Sequence, residues 1–235
     1  MTEPHYNQPA PIHQTASQQP KKSGHFKRKG GIKNIICTVL LFILAPLFAL
    51  FMIMFVFQSY VVDGSSMEPT LQNGNRVFIL KMPKTWAKIK SNTYIPSRYD
   101  VVVFKKPSDP NVQLIKRVIG LPGDRVVVKD NVVTVYNATS PYGFNPDENA
   151  SYDVPVTDSA SDVDITVGAN ELFVCGDNRN PGGSLDSRNN LGLVPTQNVI
   201  GRLWIRYYPL SAFKYFSDSR YAQQFWQILP QSYRL

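Results

Sequence analysis

The sequence predicts a mostly β domain behind a single membrane-spanning helix, and three observations lead to this prediction. Residues 35–57 read IICTVLLFILAPLFALFMIMFVF, a run without charged side chains that is long enough to cross a bilayer core of about 30 Å. Beyond Phe57, short runs rich in valine, isoleucine and aromatic residues alternate with turn residues, a pattern typical of strands. Long stretches with helical periodicity are missing there. The 235 residues therefore suit one domain with appendages.

Residues 1–34 are predicted to form a disordered, basic tail on the cytoplasmic side of the membrane. The first twenty or so residues are rich in Gln, Pro, Ser, Thr and Asn, a composition that buries too little apolar area to offset the entropy of ordering. Basic side chains cluster just before the apolar run, namely Lys21, Lys22, Lys27, Arg28, Lys29 and Lys33. The positive-inside rule places this flank in the cytoplasm and the residues after about 58 outside it. The formal net charge of +8 thus reflects membrane topology rather than a nucleic-acid partner.

The apolar run 35–57 is interpreted as a transmembrane helix, which tolerates Pro46 because a membrane helix can accommodate a kink. A cleavable signal peptide is the alternative. Its apolar core would span only about 7–15 residues and would be followed by a small-x-small site. The run is longer, and no such site follows it.

Residues 58–216 are predicted to form an extracytoplasmic β-domain. Strands are expected at 76–80, 100–104, 114–119, 125–128, 132–136, 171–174 and 199–208. Turn residues fall at 73–74, 122–124 and 129–131. Between about 137 and 168 the composition shifts to Asn, Asp, Ser, Pro and Tyr with few aliphatic residues, which indicates a distinct surface segment.

The exported region offers little for metal or disulfide chemistry. Cys37 lies in the apolar run and Cys175 stands alone beyond it, so no intrachain disulfide is expected. All three histidines lie upstream of the run, at His5, His13 and His25. Zinc and copper sites would therefore lack their usual ligands, and no glycine-rich phosphate loop is present. The sequence predicts no metal and no other cofactor.

The most informative pair of residues is Ser66, in VVDGSSMEPT, and Lys116, in QLIKRVIG. A serine hydroxyl is a poor nucleophile without a base, and histidine is missing here. A lysine amine that is removed from water can be neutral near pH 7 and can serve instead. Strand alternation places Lys116 with Leu114 and Val118 on one apolar face and Arg117 on the other. The alternatives are a solvated loop serine and a lysine on the surface or edge of a sheet.

Four blocks in fixed order resemble the bacterial type I signal peptidases (leader peptidases), a family of membrane-bound serine proteases with a Ser/Lys dyad. They are GSSMEPTL at 64–71, YDVVVF at 99–104, IKRVIGLPGD at 115–124, and GDNR at 176–179 followed by SLDSR at 184–188. The resemblance covers residues 58–206 and implies a catalytic domain of coiled antiparallel sheets with a variable insertion at about 137–168. It also implies cleavage of N-terminal signal peptides from exported preproteins after small-x-small motifs, at the bacterial cell membrane. The implied partners are preprotein signal peptides, the lipid bilayer and the secretion translocon.

The resemblance also assigns roles to individual residues. Ser66, rather than Ser65, is the nucleophile, and Lys116 is the general base. Some family members carry a serine at the position of Gly64 that helps to bind the oxyanion, so the second oxyanion donor here must be a backbone N–H or another group. The supporting residues are Ser184, expected to hydrogen-bond the lysine amine; Asp186 and Arg188, expected to form an ion pair; and Asp177, a further polar brace.

Residues that match the family's substrate pockets by position are Tyr60, Val62, Met67, Leu71, Leu114 and Ile115. Plain core packing is the alternative for each of them. The C-terminal segment 217–235 is expected either to lie at the membrane interface, with Tyr221, Phe225, Trp226 and Leu229 on one helical face, or to pack on the β-domain.

Two other functions compete with the endopeptidase. A self-cleaving repressor-type domain would share the Ser/Lys pair but carries a soluble DNA-binding module in place of a membrane span. A noncatalytic, membrane-anchored β-domain would bind peptides or envelope components, with Ser66 and Lys116 as structural residues.

Overall fold

The computed structural model describes residues 31–130, 132–148 and 162–216. Three predicted segments lie wholly or partly outside the described residues. These are the tail up to residue 30, residues 149–161 of the insertion, and the C-terminal segment 217–235. The chain divides into two compact units, residues 1–44 and 45–235.

The apolar run forms helix α1, Gly31–Phe51, which continues as a π-helical turn, Met52–Val56. The stretch Lys33–Val56 spans 24 residues with a mean hydropathy of 3.0 and no buried residues, so by length and composition it can cross a membrane. The predicted limits 35–57 need two corrections. The helix begins before residue 35, and Phe57 is already the first residue of a strand.

Twelve strands follow among the described residues: β1 Phe57–Val61, β2 Arg76–Leu80, β3 Val101–Lys106, β4 Asp109–Gly120, β5 Arg125–Lys129, β6 Val132–Asn137, β7 Ser140–Phe144, β8 Val163–Thr166, β9 Glu171–Cys175, β10 Val194–Pro195, β11 Val199–Tyr208 and β12 Lys214–Tyr215. One short helix, α2 Met82–Ile89, lies between β2 and β3, and 3₁₀ turns occur at Thr196–Asn198 and Leu210–Ala212.

The strands form two antiparallel sheets, so the predicted mostly β fold is confirmed. The larger sheet has eight strands in the order β1-β2-β11-β3-β4-β9-β10, with β12 paired to β11. The smaller sheet has four strands in the order β7-β6-β5-β8. Strands β7 and β8 fall inside the segment 137–168, so that segment is more regular than its polar composition suggested. The smaller sheet and the turn after β7 are called the insertion lobe below.

Strands β3 and β4 form the centre of the larger sheet and place Lys116 within it. Val102 pairs with Lys116, and Val103 pairs with Ile115. Buried side chains cover both faces of β3. One cluster contains Val62, Met67, Leu71, Val77, Ile79, Val101, Val103 and Leu203, and the other contains Val102, Phe104, Val118, Leu172, Val174, Leu191, Val194 and Val199. A third cluster joins β5 and β6 of the insertion lobe to the end of β4 and to β9.

Every strand expected from the sequence is present, although several begin or end a few residues away from the predicted limits. Strand β1 was not predicted because its first residue, Phe57, was assigned to the apolar run and the next two, Gln58 and Ser59, are polar. Strands β7 and β8 were not predicted because the polar composition of their segment hides the alternation. Helix α2, which is only eight residues long, was also missed.

Candidate active site

A short closed loop between β1 and β2 presents Ser66. Its base is held by backbone hydrogen bonds from Val62 N to Asn75 O and from Gly74 N to Val62 O, both 2.8 Å. Gly64 has a φ of +92°, a left-handed conformation that glycine adopts without strain. Its N–H donates to Asn73 Oδ1 at 3.0 Å. The loop therefore has a defined shape just before Ser66.

The Ser66 hydroxyl lies next to the Lys116 amine. Lys116 Nζ donates to Ser66 Oγ at 2.6 Å and to the carbonyl oxygen of Ile115 at 2.9 Å. Ser65 is exposed, and its carbonyl oxygen accepts the N–H of Glu68 at 3.0 Å. Of the two neighbouring serines, Ser66 is thus the one whose hydroxyl contacts the lysine.

Lys116 is only 2 % exposed, and this burial sets its charge state. Burial lowers the pKa of its amine to about 8, while the carboxylates of Asp186 and Asp177 act in the opposite direction. Burial disfavours the ammonium because a low-dielectric interior solvates charge poorly. A proton can therefore leave Lys116 near neutral pH, after which the Ser66 hydroxyl can donate to the free amine across the same contact.

Arg117, the next residue in β4, is also buried but keeps its charge and pairs with Asp177. Its Nε and Nη2 donate to the two carboxylate oxygens of Asp177 at 2.8 and 2.6 Å, and its Nη1 donates to Tyr99 O at 2.9 Å. The predicted brace Asp177 therefore acts on Arg117 by direct contact, and on Lys116 only through its charge.

Asp186 and Arg188 form a second buried ion pair. Arg188 Nε and Nη2 donate to the carboxylate at 3.0 and 2.8 Å, and Gly176 N donates to Asp186 Oδ2 at 2.8 Å. Burial raises the pKa of the Asp186 carboxyl, but the hydrogen bonds and charge of Arg188 and the Gly176 N–H outweigh burial and leave that pKa below its ordinary value. Asp186 is thus a fixed negative charge behind the lysine.

The expected hydrogen bond between Ser184 and the Lys116 amine is not formed, and this prediction is corrected. Ser184 Oγ is buried with no partner in hydrogen-bond geometry among the described residues, although it lies near enough to Asp186 to help lower the pKa of that carboxyl. The amine is already oriented by Ser66 Oγ and by the carbonyl oxygen of Ile115.

Two residues that the sequence analysis did not single out hold the backbone of the serine loop. Asn178 N donates to Ser66 O at 3.2 Å, and Asn178 Nδ2 donates to Ser65 O at 3.1 Å. Gly176 packs so closely that a Cβ there would overlap both the Ser66 carbonyl oxygen and Ser184 Oγ. The GDNR block contains both residues, but only the folded chain shows that they touch the loop.

The six predicted pocket residues do not share one environment. Met67 and Leu71 have no exposed surface and Val62 has little, so these three belong to the core, the alternative considered from the sequence. Tyr60 and Ile115 are partly buried against that same cluster and keep some exposed surface. Leu114 packs on the opposite cluster and does not join them.

Other reactive groups near the site are less suited to nucleophilic or metal chemistry. Burial raises the pKa of the Cys175 thiol to about 12, so the thiolate is not accessible near neutral pH. No group of three or more His, Cys, Asp or Glu side chains in the described part of the chain is arranged to hold a metal ion.

Comparison with known proteins shows the family of this chain. A family model described as "Signal peptidase, peptidase S26" matches residues 35–208. Signal peptidase I of Bacillus licheniformis is 35 % identical over 172 residues, which cover 72 % of this chain and 86 % of that one. The chain belongs to the signal peptidase S26 family. Signal peptidase I T of Bacillus subtilis (strain 168) is 33 % identical over 172 residues, 72 % of this chain and 83 % of that one.

A crystal structure of a signal peptidase I from Enterococcus faecalis V583 is 28 % identical and covers 48 % of this chain and 99 % of that one, with a TM-score of 0.36. Sequence membership in the S26 family supports signal-peptide cleavage by a serine peptidase, and the apolar helix α1 is consistent with a membrane anchor.

Proposed function

We propose that this S26 family member is a membrane-anchored serine endopeptidase that cleaves signal peptides from exported preproteins after small-x-small motifs. Ser66 is the nucleophile and Lys116 is the general base. The observation that carries the proposal is the 2.6 Å contact between Ser66 Oγ and the buried Lys116 Nζ.

The reaction uses the lysine twice. In its neutral form, Lys116 takes the proton of Ser66 while Oγ attacks the scissile carbonyl carbon, and the Ser66 backbone N–H stabilises the oxyanion. The ammonium then protonates the leaving nitrogen, so that the C–N bond breaks and an ester on Ser66 remains. A water molecule then loses a proton to Lys116 and attacks the carbonyl carbon of the ester. The bond from this carbon to Oγ breaks, Lys116 returns the proton to Oγ, and the signal peptide is released.

The buried carboxylates support this cycle without touching the substrate. Asp186 and Asp177 favour the ammonium that forms during each half-reaction, whereas burial favours the neutral amine at the start. These opposed effects suit a group that must gain and lose a proton.

The membrane topology follows from the basic flank. The Lys- and Arg-rich residues before α1 remain in the cytoplasm, α1 crosses the bilayer, and the β-domain lies on the extracytoplasmic face. Tyr60 and Ile115 keep exposed surface beside the core cluster under the serine loop and contact the small side chains of the cleavage motif. The lipid bilayer and the secretion translocon are the further partners of this arrangement.

Substrate choice tests the proposed specificity. The purified full-length protein in detergent is expected to cleave a preprotein with Ala at positions −1 and −3, and to cleave the −1 Phe version at least about 10²-fold more slowly, because a large ring cannot enter a shallow pocket. A −2 Phe version of the same preprotein is the matched control and should be cleaved normally. Equal cleavage of the −1 and −2 Phe versions would contradict the small-x-small assignment.

The pH dependence tests the base. Because Lys116 must be neutral to accept the serine proton, kcat/KM is expected to rise about tenfold per pH unit below a pH of about 8 and to level off above it. The pKa of the Asp186 carboxyl is lower in the folded protein than its ordinary value. Asp186 therefore stabilises the fold at every pH above that ordinary value, and this stabilisation is lost only as the pH falls through the lowered pKa. Acid unfolding linked to Asp186 therefore lies well below the window in which Lys116 titrates. A plot of kcat/KM against pH that stays flat around pH 8 would contradict the role of Lys116 as the base.

A further inference from the structure

A buried ion pair links the insertion lobe to the segment that holds the serine loop. Asp147 lies in the turn after β7, where its own N–H donates to Asn145 Oδ1 at 2.9 Å. Arg179 Nη1 and Nη2 donate to the two carboxylate oxygens of Asp147 at 2.6 and 2.9 Å. The two side chains are only 4 % and 13 % exposed. This bidentate, desolvated geometry is the strong form of an ion pair.

The same guanidinium reaches the backbone next to Ser66. Arg179 Nε donates to the carbonyl oxygen of Gly176 at 2.8 Å. Gly176 in turn packs against the carbonyl oxygen of Ser66, and its N–H binds Asp186. Asn178, which lies beside Arg179 in the chain, donates its N–H to that same carbonyl oxygen of Ser66. Asp147 is thus linked to the Ser66 backbone through Arg179 and the adjoining residues of segment 176–179.

We propose that Asp147 is a positioning residue, through which the insertion lobe holds Arg179 and segment 176–179 against the serine loop. This inference rests on the proposed function and extends it, because it gives the insertion lobe a part in catalysis. The physical reason is that a displacement of about 1 Å between reacting groups can cost about 10²-fold in rate. Segment 176–179 contacts the backbone of the loop that carries Ser66, so the position of the Ser66 hydroxyl next to Lys116 depends on this segment.

The insertion lobe contains a natural control for this pair. Arg125 and Asp164 form an equally short ion pair between β5 and β8, but their side chains are 52 % and 54 % exposed. Exposed pairs contribute little because water and salt screen them. A change at Asp164 therefore removes a carboxylate from the same lobe without touching segment 176–179.

The experiment compares Asp147→Asn with Asp164→Asn in the full-length protein, using kcat and KM for one Ala-x-Ala preprotein at a fixed pH and the Tm of each variant. For Asp147→Asn we expect kcat to fall at least about tenfold, because the segment that grips Ser66 is no longer fixed. We expect KM to stay within about twofold. Asp147→Glu should recover part of the lost kcat, and Asp164→Asn should match the wild type.

Adding Arg179→Lys to Asp147→Asn provides a second measurement. If the two residues act as a unit, the double variant should be no slower than the slower single variant. A wild-type kcat for Asp147→Asn would overturn the inference. The inference would also be overturned if the kcat losses of the two single variants multiplied in the double variant. A loss of kcat no larger than the fraction of unfolded protein would overturn it as well.

Failure of this inference is distinguishable from failure of the proposed function. Ser66→Ala, measured in the same series, tests the proposed function alone. Loss of cleavage in Ser66→Ala with a normal kcat in Asp147→Asn would reject only the role of the insertion lobe.

Discussion

Ser66→Ala and Lys116→Ala are each expected to lower kcat for preprotein cleavage by about 10⁴-fold or more while the protein stays folded. The two groups form one unit, because the hydroxyl is unreactive without the amine and, without the hydroxyl, no ester forms for the amine to help hydrolyse. The effects should therefore not multiply, and Ser66→Ala/Lys116→Ala should be no slower than either single variant. Cleavage in detergent and the Tm of each variant are the measurements.

Two control variants sharpen this prediction. Ser65→Ala should keep near wild-type kcat, because the Ser65 carbonyl oxygen, and not its hydroxyl, makes the contacts in the loop. Lys116→Arg keeps a positive charge but does not deprotonate in a protein, so it should be as inactive as Lys116→Ala. Activity in Ser66→Ala together with inactivity in Ser65→Ala would assign the nucleophile to Ser65, and an active Lys116→Arg would exclude a general base at 116.

Asp177→Ala is expected to cause the largest loss of stability. It removes the carboxylate that binds Arg117 at two points inside the core, and breaking a buried ion pair from one side costs about 3–5 kcal/mol. For a domain of this size the Tm should fall on the order of 10 °C. Asp177 also opposes the drop in the pKa of Lys116. Any remaining activity should therefore reach its plateau at a lower pH than in the wild type.

The matched control is Asp164→Ala, which removes the partner of Arg125 at the surface. This variant is expected to leave the Tm unchanged within error, since the Arg125–Asp164 pair is exposed on both sides. Similar shifts of Tm in Asp177→Ala and Asp164→Ala would mean that burial does not determine the contribution of the Arg117 pair.

The features of the fold that depend on local sequence pattern could be predicted from the sequence. The valine-rich alternation of β3 to β6 defines strands because side chains at every second position face the same side of a sheet. The same alternation places Lys116 on the face of Leu114 and Val118, and burial then lowers its pKa. The order of the four sequence blocks likewise identified Ser66 and Lys116 as a candidate pair.

Contacts between distant segments could not be predicted in the same way. Ser184 was expected to orient the lysine, but the Ile115 carbonyl oxygen does so, and that depends on the rotamer of a single side chain. Met67 and Leu71 were assigned to pockets, yet both are needed to fill the core beneath the serine loop. The Asp147–Arg179 pair joins two segments that no short sequence pattern connects.

A direct titration of the Lys116 amine tests the Ser/Lys account most directly. The signal can be observed by NMR in protein with isotope-labelled lysine and assigned by its loss in Lys116→Arg. We expect a pKa of about 8 for this amine, which should match the midpoint of the rise in kcat/KM with pH. A pKa near the ordinary lysine value of about 10.4 would leave Lys116 an ammonium at working pH and contradict its role as the base that activates Ser66.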